Sequence, residues 1–190
     1  MNFSSPVSIS DLDTAFAIYG ENAQGQQVLL NGIIGGFYDQ GGNFYAAGQG
    51  LGASNVTQIQ IIFQPYAGYT FTAAGQDDLG NTVGLVNGNY FLSVTSSGVI
   101  DSFGKAVDAA GTGVAGSNYM WEFYRLFGDV NGDRTVNSVD STAFKAANGS
   151  SQGAANYEWY LDYLVEGNID VGNSDSKNAF LSDYLETLNS

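Results

Sequence analysis

Asp129, Asn131, Asp133, Asn137 and Asp140 stand at positions 1, 3, 5, 9 and 12 of one twelve-residue stretch, Asp129-Val-Asn-Gly-Asp-Arg-Thr-Val-Asn-Ser-Val-Asp140. A calcium ion takes six to eight oxygen ligands in flexible geometry, and a loop with oxygens at this spacing supplies them. Thr135, at position 7, would offer its backbone carbonyl, and Asn137 a ligand directly or through water. Three carboxylates against a doubly charged cation leave about one net negative charge, a reasonable balance for a hard cation. Val136, at position 8, is the apolar residue such a loop tucks against a partner. The bland alternative is a solvated Asp/Asn/Gly turn, but five oxygens in register with an apolar eighth position argue against chance. One residue departs from the pattern. Position 6 must turn sharply with positive φ and is normally glycine; here it is Arg134, at a cost of roughly 1 kcal/mol.

The element that must position this loop follows it directly. Ser141-Thr-Ala-Phe-Lys-Ala-Ala147 repeats Phe144 and Ala147 at helical spacing. The rest of the chain excludes more chemistry than it offers. It contains no cysteine and no histidine, which removes thiol chemistry, Ser-His-Asp triads and most zinc sites. Nineteen acidic against five basic residues give a net charge of −14, a surface that repels phosphate backbones and makes nucleic acid a poor partner. No apolar run approaches the roughly 20 residues needed to span a bilayer. Met1-Asn-Phe-Ser-Ser carries neither a basic nor an apolar signal region, so the expectation is a mature form or a piece of a longer chain.

Lys105 is the only basic residue in 1–124, a segment rich in Gly, Ser, Thr, Asn, Tyr and Phe. Short apolar or alternating runs recur there: Ala15–Tyr19, Val28–Leu30, Phe37-Tyr38, Val56–Phe63, Tyr69–Phe71 and Tyr90–Thr95. Alternation puts Thr57, Ile59, Ile61 and Phe63 on the core face, with Val56, Gln58, Gln60 and Ile62 opposite. Asn31-Gly32, Gly41-Gly42, Gln64-Pro65, Gly80-Asn81 and Asn87-Gly88 separate the runs as turns. Many short strands without helical period predict a β-sandwich. Asp77-Asp78 is the only tight acidic pair in this part, but adjacent residues on a turn cannot flank a glycosidic bond. Asp101, Asp108 and the glycines of 108–116 read as a solvated loop rather than a second cation site. The aromatics (twelve Tyr, twelve Phe) read first as core and cross-strand pairs.

Gly128-Asp-Val-Asn-Gly-Asp-Arg-Thr-Val-Asn-Ser-Val-Asp140 resembles the first calcium loop of type I dockerin modules, paired EF-hand-type loop–helix repeats of bacterial extracellular and cell-surface proteins. The resemblance covers roughly 126–188 and implies a second copy. Asp162-Tyr-Leu-Val-Glu-Gly-Asn-Ile-Asp-Val-Gly-Asn173 provides it in outline. It keeps Asp162, Gly167, Ile169 and Asp170 at positions 1, 6, 8 and 9, with Asn168 at position 7. Leu164 replaces the position-3 oxygen, Glu166 stands at position 5, and position 12 is Asn173, or Asp175 if the loop runs longer. The second site is therefore the weaker one, with Asp162, Glu166, Asn168, Asp170, Asn173 and Asp175 as its candidates. A following helix is expected through Phe180, Leu181, Tyr184, Leu185 and Leu188.

A looser resemblance covers the first part. Phe3-Ser-Ser-Pro-Val7, Val86–Val94 and Val99–Asp108 are similar to signatures of bacterial Ig-like surface domains, joined here through Trp121-Glu-Phe-Tyr-Arg-Leu-Phe-Gly-Asp129. If Phe3–Val7 ends a first strand, an open sheet edge results, a template for a strand from another chain.

The expected fold is mostly β with a small α part: an Ig-like β-sandwich over 1–124, then a dockerin-like module of paired EF-hand-type loops over 125–190. The expected function is a non-enzymatic, calcium-binding, extracellular or cell-surface module, structural or adhesive, self-associating or bound to a protein partner, and not inserted in a membrane. Two alternatives stand beside it. One is a dockerin-type anchor for a cohesin-like receptor, for which the resemblance implies partner reading by Ser138-Val139 and Val171-Gly172. The other is a polysaccharide-binding sandwich, which predicts a line of exposed aromatics.

Overall fold

The structure, a computed structural model, describes residues 1–48, 52–63, 85–163, 167–170 and 174–188. The expected strand at Tyr69–Phe71, the turns at Gln64-Pro65 and Gly80-Asn81, and the pair Asp77-Asp78 lie outside these residues. Among the described residues, nine strands form two antiparallel sheets. They are β1 (Asn2–Ile9), β2 (Phe16–Glu21), β3 (Gln27–Leu29), β4 (Ile34–Asp39), β5 (Phe44–Ala46), β6 (Ala53–Phe63), β7 (Gly88–Val94), β8 (Val99–Asp101) and β9 (Tyr119–Arg125). One sheet runs β5-β4-β6-β1-β8 and the other β3-β2-β7-β9. A small helical part follows, with α2 (Ser138–Ala147) and α3 (Asp175–Asp183); a single short helix, α1 (Leu12–Ala15), precedes β2. The protein is thus mostly β with a small α part.

Alternation builds the core as the pattern requires. Ile59 is fully buried and Gln58 and Gln60 are exposed. Val56 departs from this, being buried although the pattern put it outside. Asn55 adopts φ 59°, and the β1–β6 register shifts between Val7↔Val56 and Ile9↔Ala53. The irregularity turns Val56 inward beside Ala53 and Ile59. Phe63 and Phe123 stack between the sheets at 6.3 Å, and Tyr90, wholly buried, donates its hydroxyl to the Val86 carbonyl at 2.6 Å.

Three expectations are corrected. β1 runs on to Ile9 and lies between β6 and β8, with β8 pairing it over Val7–Ile9, so the first strand does not end at Val7. The stretch from Trp121, read as a junction, is instead β9, paired with β7 from Gly88↔Arg125 to Val94↔Tyr119. And α3 ends at Asp183: Leu185 has φ 72°, so Tyr184, Leu185 and Leu188 lie beyond the helix.

The chain passes from β9 into the helical part without leaving the core. Leu126 and Phe127 are buried, and Phe127 meets Tyr163 edge-on at 4.7 Å. Asn87 fastens the same seam. Its amide nitrogen donates to Asp183 at 2.7 Å, while its oxygen accepts from the Phe127 N–H at 2.9 Å and from Arg125 at 3.0 Å.

Candidate metal centre

The stretch Asp129–Asp140 folds as a loop closed by its own two end carboxylates. Asp129 Oδ1 accepts from the N–H groups of Gly132 (2.9 Å) and Asp133 (3.1 Å), and Oδ2 from that of Arg134 (2.9 Å). From the far end, Asp140 accepts through Oδ1 from Val130 (2.8 Å) and Asn131 (3.3 Å), and through Oδ2 from Asn137 (2.9 Å). Asp140 is 1% exposed, and a carboxylate there is tolerable because its oxygens are hydrogen-bonded. Asn137 caps α2, accepting from the Val139 N–H at 2.8 Å, with Asp140 completing a reciprocal capping box. One residue thus closes the loop and starts the helix.

Asp133 accepts from the Thr135 N–H (2.9 Å) and the Asn131 amide (2.8 Å). A carboxylate has about four lone-pair positions, so Asp133 and Asp140 keep acceptor capacity, as do the Asn131 and Asn137 side-chain oxygens. Asp129 does not: Tyr124 adds a fourth donor at 2.7 Å, and a cation would have to displace one of the four. Among the described residues no three carboxylates gather around a single point. The donor set itself is all hard oxygen, of the kind calcium accepts and zinc does not favour. Thr135 fits its part, because the pairing beside it takes the carbonyls of Arg134 and Val136 and not its own.

Arg134 has φ 67°, the conformation position 6 demands. The partners of the side chain explain why a residue other than glycine stands there. The guanidinium lies 4.5 Å over the Tyr124 ring, donates to Asn89 on β7 at 2.8 Å, and pairs with Glu122 on β9 at 3.3 Å. Arg134 therefore ties the loop to the sandwich, which glycine could not do.

The second stretch repeats this geometry 33 residues on. Tyr157 donates to Asp162 Oδ2 at 2.7 Å as Tyr124 does to Asp129, and the position-6 N–H of Gly167 donates to the same oxygen at 2.7 Å. Both phenols are pushed up to about 12, Tyr124 chiefly by burial and then by its bond to Asp129, Tyr157 chiefly by its bond to Asp162. Val136 and Ile169, at position 8 of each loop, are both fully buried. Each pairs with the segment that leaves the other half's helix. Val136 donates to Glu186 and accepts from Leu185; Ile169 donates to Ser150 and accepts from Gly149. The two halves therefore exchange short antiparallel contacts, and Phe144 of α2 stacks on Phe180 of α3 at 4.5 Å. Leu181, next to Phe180 in α3, is 59% exposed and takes no part in this packing. Gly128 lets the halves close: it has φ 89°, and a Cβ there would meet the Phe180 ring at 2.8 Å.

Past position 9 the halves differ. Asp170 has φ 57°, accepts from the Lys177 N–H at 3.0 Å, and leaves Oδ2 buried with no hydrogen-bond partner among the described residues. Glu166 and Asn173 lie outside the described residues. Asp175 is the first residue of α3, and the place that Asp140 fills in the first half is taken by Ser176. Its Oγ accepts from the Tyr163 N–H at 3.1 Å, as Asp140 accepts from Val130, and it is 3% exposed. This equivalence escapes sequence reading because Ser176 lies 14 residues after Asp162, whereas Asp140 lies 11 after Asp129. Asn168, at position 7, forms a single bridge with Ser151, as Thr135 does with Thr187.

The acidic loops of the sandwich do something simpler. Asp108 accepts from Ser117 and the backbone of Thr112 and Gly113, and Asp101 from Phe103 and Lys105 N–H groups, so both brace turns. No family model, curated protein or solved structure matches this chain.

Proposed function

We propose that this protein is a non-enzymatic, calcium-stabilised module of the bacterial cell surface or exterior, an Ig-like sandwich carrying a dockerin-like pair of loop–helix repeats. The observation that carries the reading is the repeat itself. Two loops with the same tyrosine-to-position-1 bond, the same position-6 bond and the same position-8 exchange lie back to back. Asp129, Asn131, Asp133, Thr135, Asn137 and Asp140 would hold the ion in the first. Asp162, Asn168 and Asp170, with Glu166, Asn173 or Asp175, form the weaker second set, where Ser176 stands in the place of a carboxylate. The unpartnered oxygen of Asp170 favours some cation affinity there, since a buried acceptor left unmade costs about 1–3 kcal/mol.

Bound calcium would stabilise the folded form by mass action. Extracellular loops of this type work at about 10⁻⁴–10⁻³ M calcium, so the ion serves as a structural part that stays in place outside the cell. Because the first loop is tied to the sandwich through Arg134, its order extends into β7 and β9. Self-association or a protein partner completes the role. A receptor-anchoring reading draws on one further observation: Val139 is 60% exposed at loop position 11, where a partner could read it.

Thermal melts in calcium, magnesium and chelator test the proposal. Calcium at a hundred times Kd is expected to stabilise by about 2.7 kcal/mol, and magnesium by less, since it dehydrates reluctantly and demands octahedral geometry. Coincident melts in all three would overturn it.

A further inference from the structure

The outer face of the β5-β4-β6 sheet carries a surface that the calcium reading does not use. Tyr38 and Phe44 are cross-strand partners, 41% and 50% exposed, with ring centroids 4.9 Å apart. Gln60 is paired with Tyr38 on the other side, so Phe44, Tyr38 and Gln60 form one row across three strands, about 10 Å long. Gln58 stands on the same face, two residues from Gln60.

Phe44 does not project from the sheet. A Cβ on Gly36 would come within 2.7 Å of its ring, so the ring lies across Gly36 and turns one flat face to solvent. Covering a strand glycine accounts for the buried side of Phe44; it does not account for the exposed Tyr38 beside it. A shallow depression of about 480 Å³ adjoins the pair, lined by Tyr38, Asp39, Gln40, Gly42, Gln58 and Gln60.

The polar groups around it are uncharged amides apart from Asp39, whose carboxylate is taken up within its own turn. Asp39 spends its oxygens on the N–H groups of Gly41 and Asn43, the Asn43 amide and the Tyr45 hydroxyl. Gln40 is fixed to the Asn55 carbonyl and the Thr57 N–H. The amides of Gln58 and Gln60 make no hydrogen bond to a described residue, which leaves donors and acceptors side by side next to two ring faces. With a net charge of −14, anionic ligands are repelled.

We infer that this face binds a neutral polysaccharide chain, its sugar rings lying on Tyr38 and Phe44 and its hydroxyls bonded by Gln58 and Gln60. Ring faces present π-density to the C–H face of a sugar, and amides match hydroxyls as both donor and acceptor. The inference is independent of the calcium site, which lies beyond the other sheet's β9.

Affinity electrophoresis through gels containing hydroxyethyl cellulose, galactomannan, arabinoxylan or polygalacturonate, run in calcium and again in chelator, tests it. At least one neutral polymer is expected to retard the full chain in both conditions, and polygalacturonate is not. Tyr38→Ala should weaken retardation about tenfold, Gln58→Ala and Gln60→Ala should weaken it too, and Tyr38→Phe should keep it. Melting temperatures equal to the parent's would show that the variants are folded. The inference is overturned if no neutral polymer retards the protein, if polygalacturonate does so best, or if Tyr38→Ala and Gln60→Ala migrate as the parent does.

Discussion

Replacing Arg134 separates two opposed effects whose sizes follow from the structure. Its backbone, at φ 67°, costs roughly 1 kcal/mol relative to glycine. Against this stand three contacts. The guanidinium over Tyr124, at 4.5 Å, is worth about 0.5–1 kcal/mol. The bond to Asn89, at 2.8 Å, adds about 1 kcal/mol for a charged donor in a partly exposed place. The pair with Glu122, whose side chains are 25% and 48% exposed, adds about 0.5 kcal/mol at most after solvent screening. The contacts sum to about 2 kcal/mol. Arg134→Ala loses them and keeps the strain, so it should destabilise by about 2 kcal/mol; Arg134→Gly loses them and sheds the strain, so it should cost about 1 kcal/mol. Urea unfolding in chelator, monitored by tryptophan fluorescence, measures both without interference from metal. A double-mutant cycle with Asn89→Ala should return a coupling of about 1 kcal/mol. A glycine variant as stable as the parent, or more so, would refute the argument that Arg134 is present for what it touches.

Ile169→Ala empties a fully buried site at the exchange between the halves and should cost about 2–4 kcal/mol in calcium and in chelator alike, read by the same unfolding curves. Ser176→Asp restores a carboxylate where Asp140 stands in the first half; calcium calorimetry should then show stronger second binding than the parent's. Acid should weaken the sandwich turns. The Asn43 amide holds the Asp39 carboxyl below its ordinary 3.8, and the Ser117 hydroxyl does the same for Asp108. With the folded values depressed, their stabilisation is complete above about pH 4 and is lost as pH falls through the folded values. Melts from about pH 6 to about pH 3 in chelator should decline at the acid end, less steeply for Asp108→Asn.

Much of the loop's closure could be read in the chain because its logic is local. Oxygens at fixed spacing close a loop on themselves, and each bond of Asp129 to a loop N–H spans five residues or fewer. The alternation at Ile59 and its glutamine neighbours is likewise local and marked the sheet's two faces. What escaped depends on distant partners. β9 was hidden because Tyr119-Met-Trp-Glu-Phe-Tyr-Arg125 carries large aromatic or apolar residues on both faces, so no alternation announced a strand, and only pairing with β7 makes it one. Arg134 departs from the loop pattern for a reason outside the loop, at Asn89, 45 residues back, and Glu122, 12 residues back. The exchange between Val136 and the residues after α3 spans fifty residues, beyond any local pattern.

The most direct test of the calcium account is titration calorimetry of the full chain, alongside Asp129→Ala and Asp162→Ala. The account predicts one principal binding event, lost in Asp129→Ala and preserved in Asp162→Ala. No heat on adding calcium, or a principal event that survives Asp129→Ala, would contradict it.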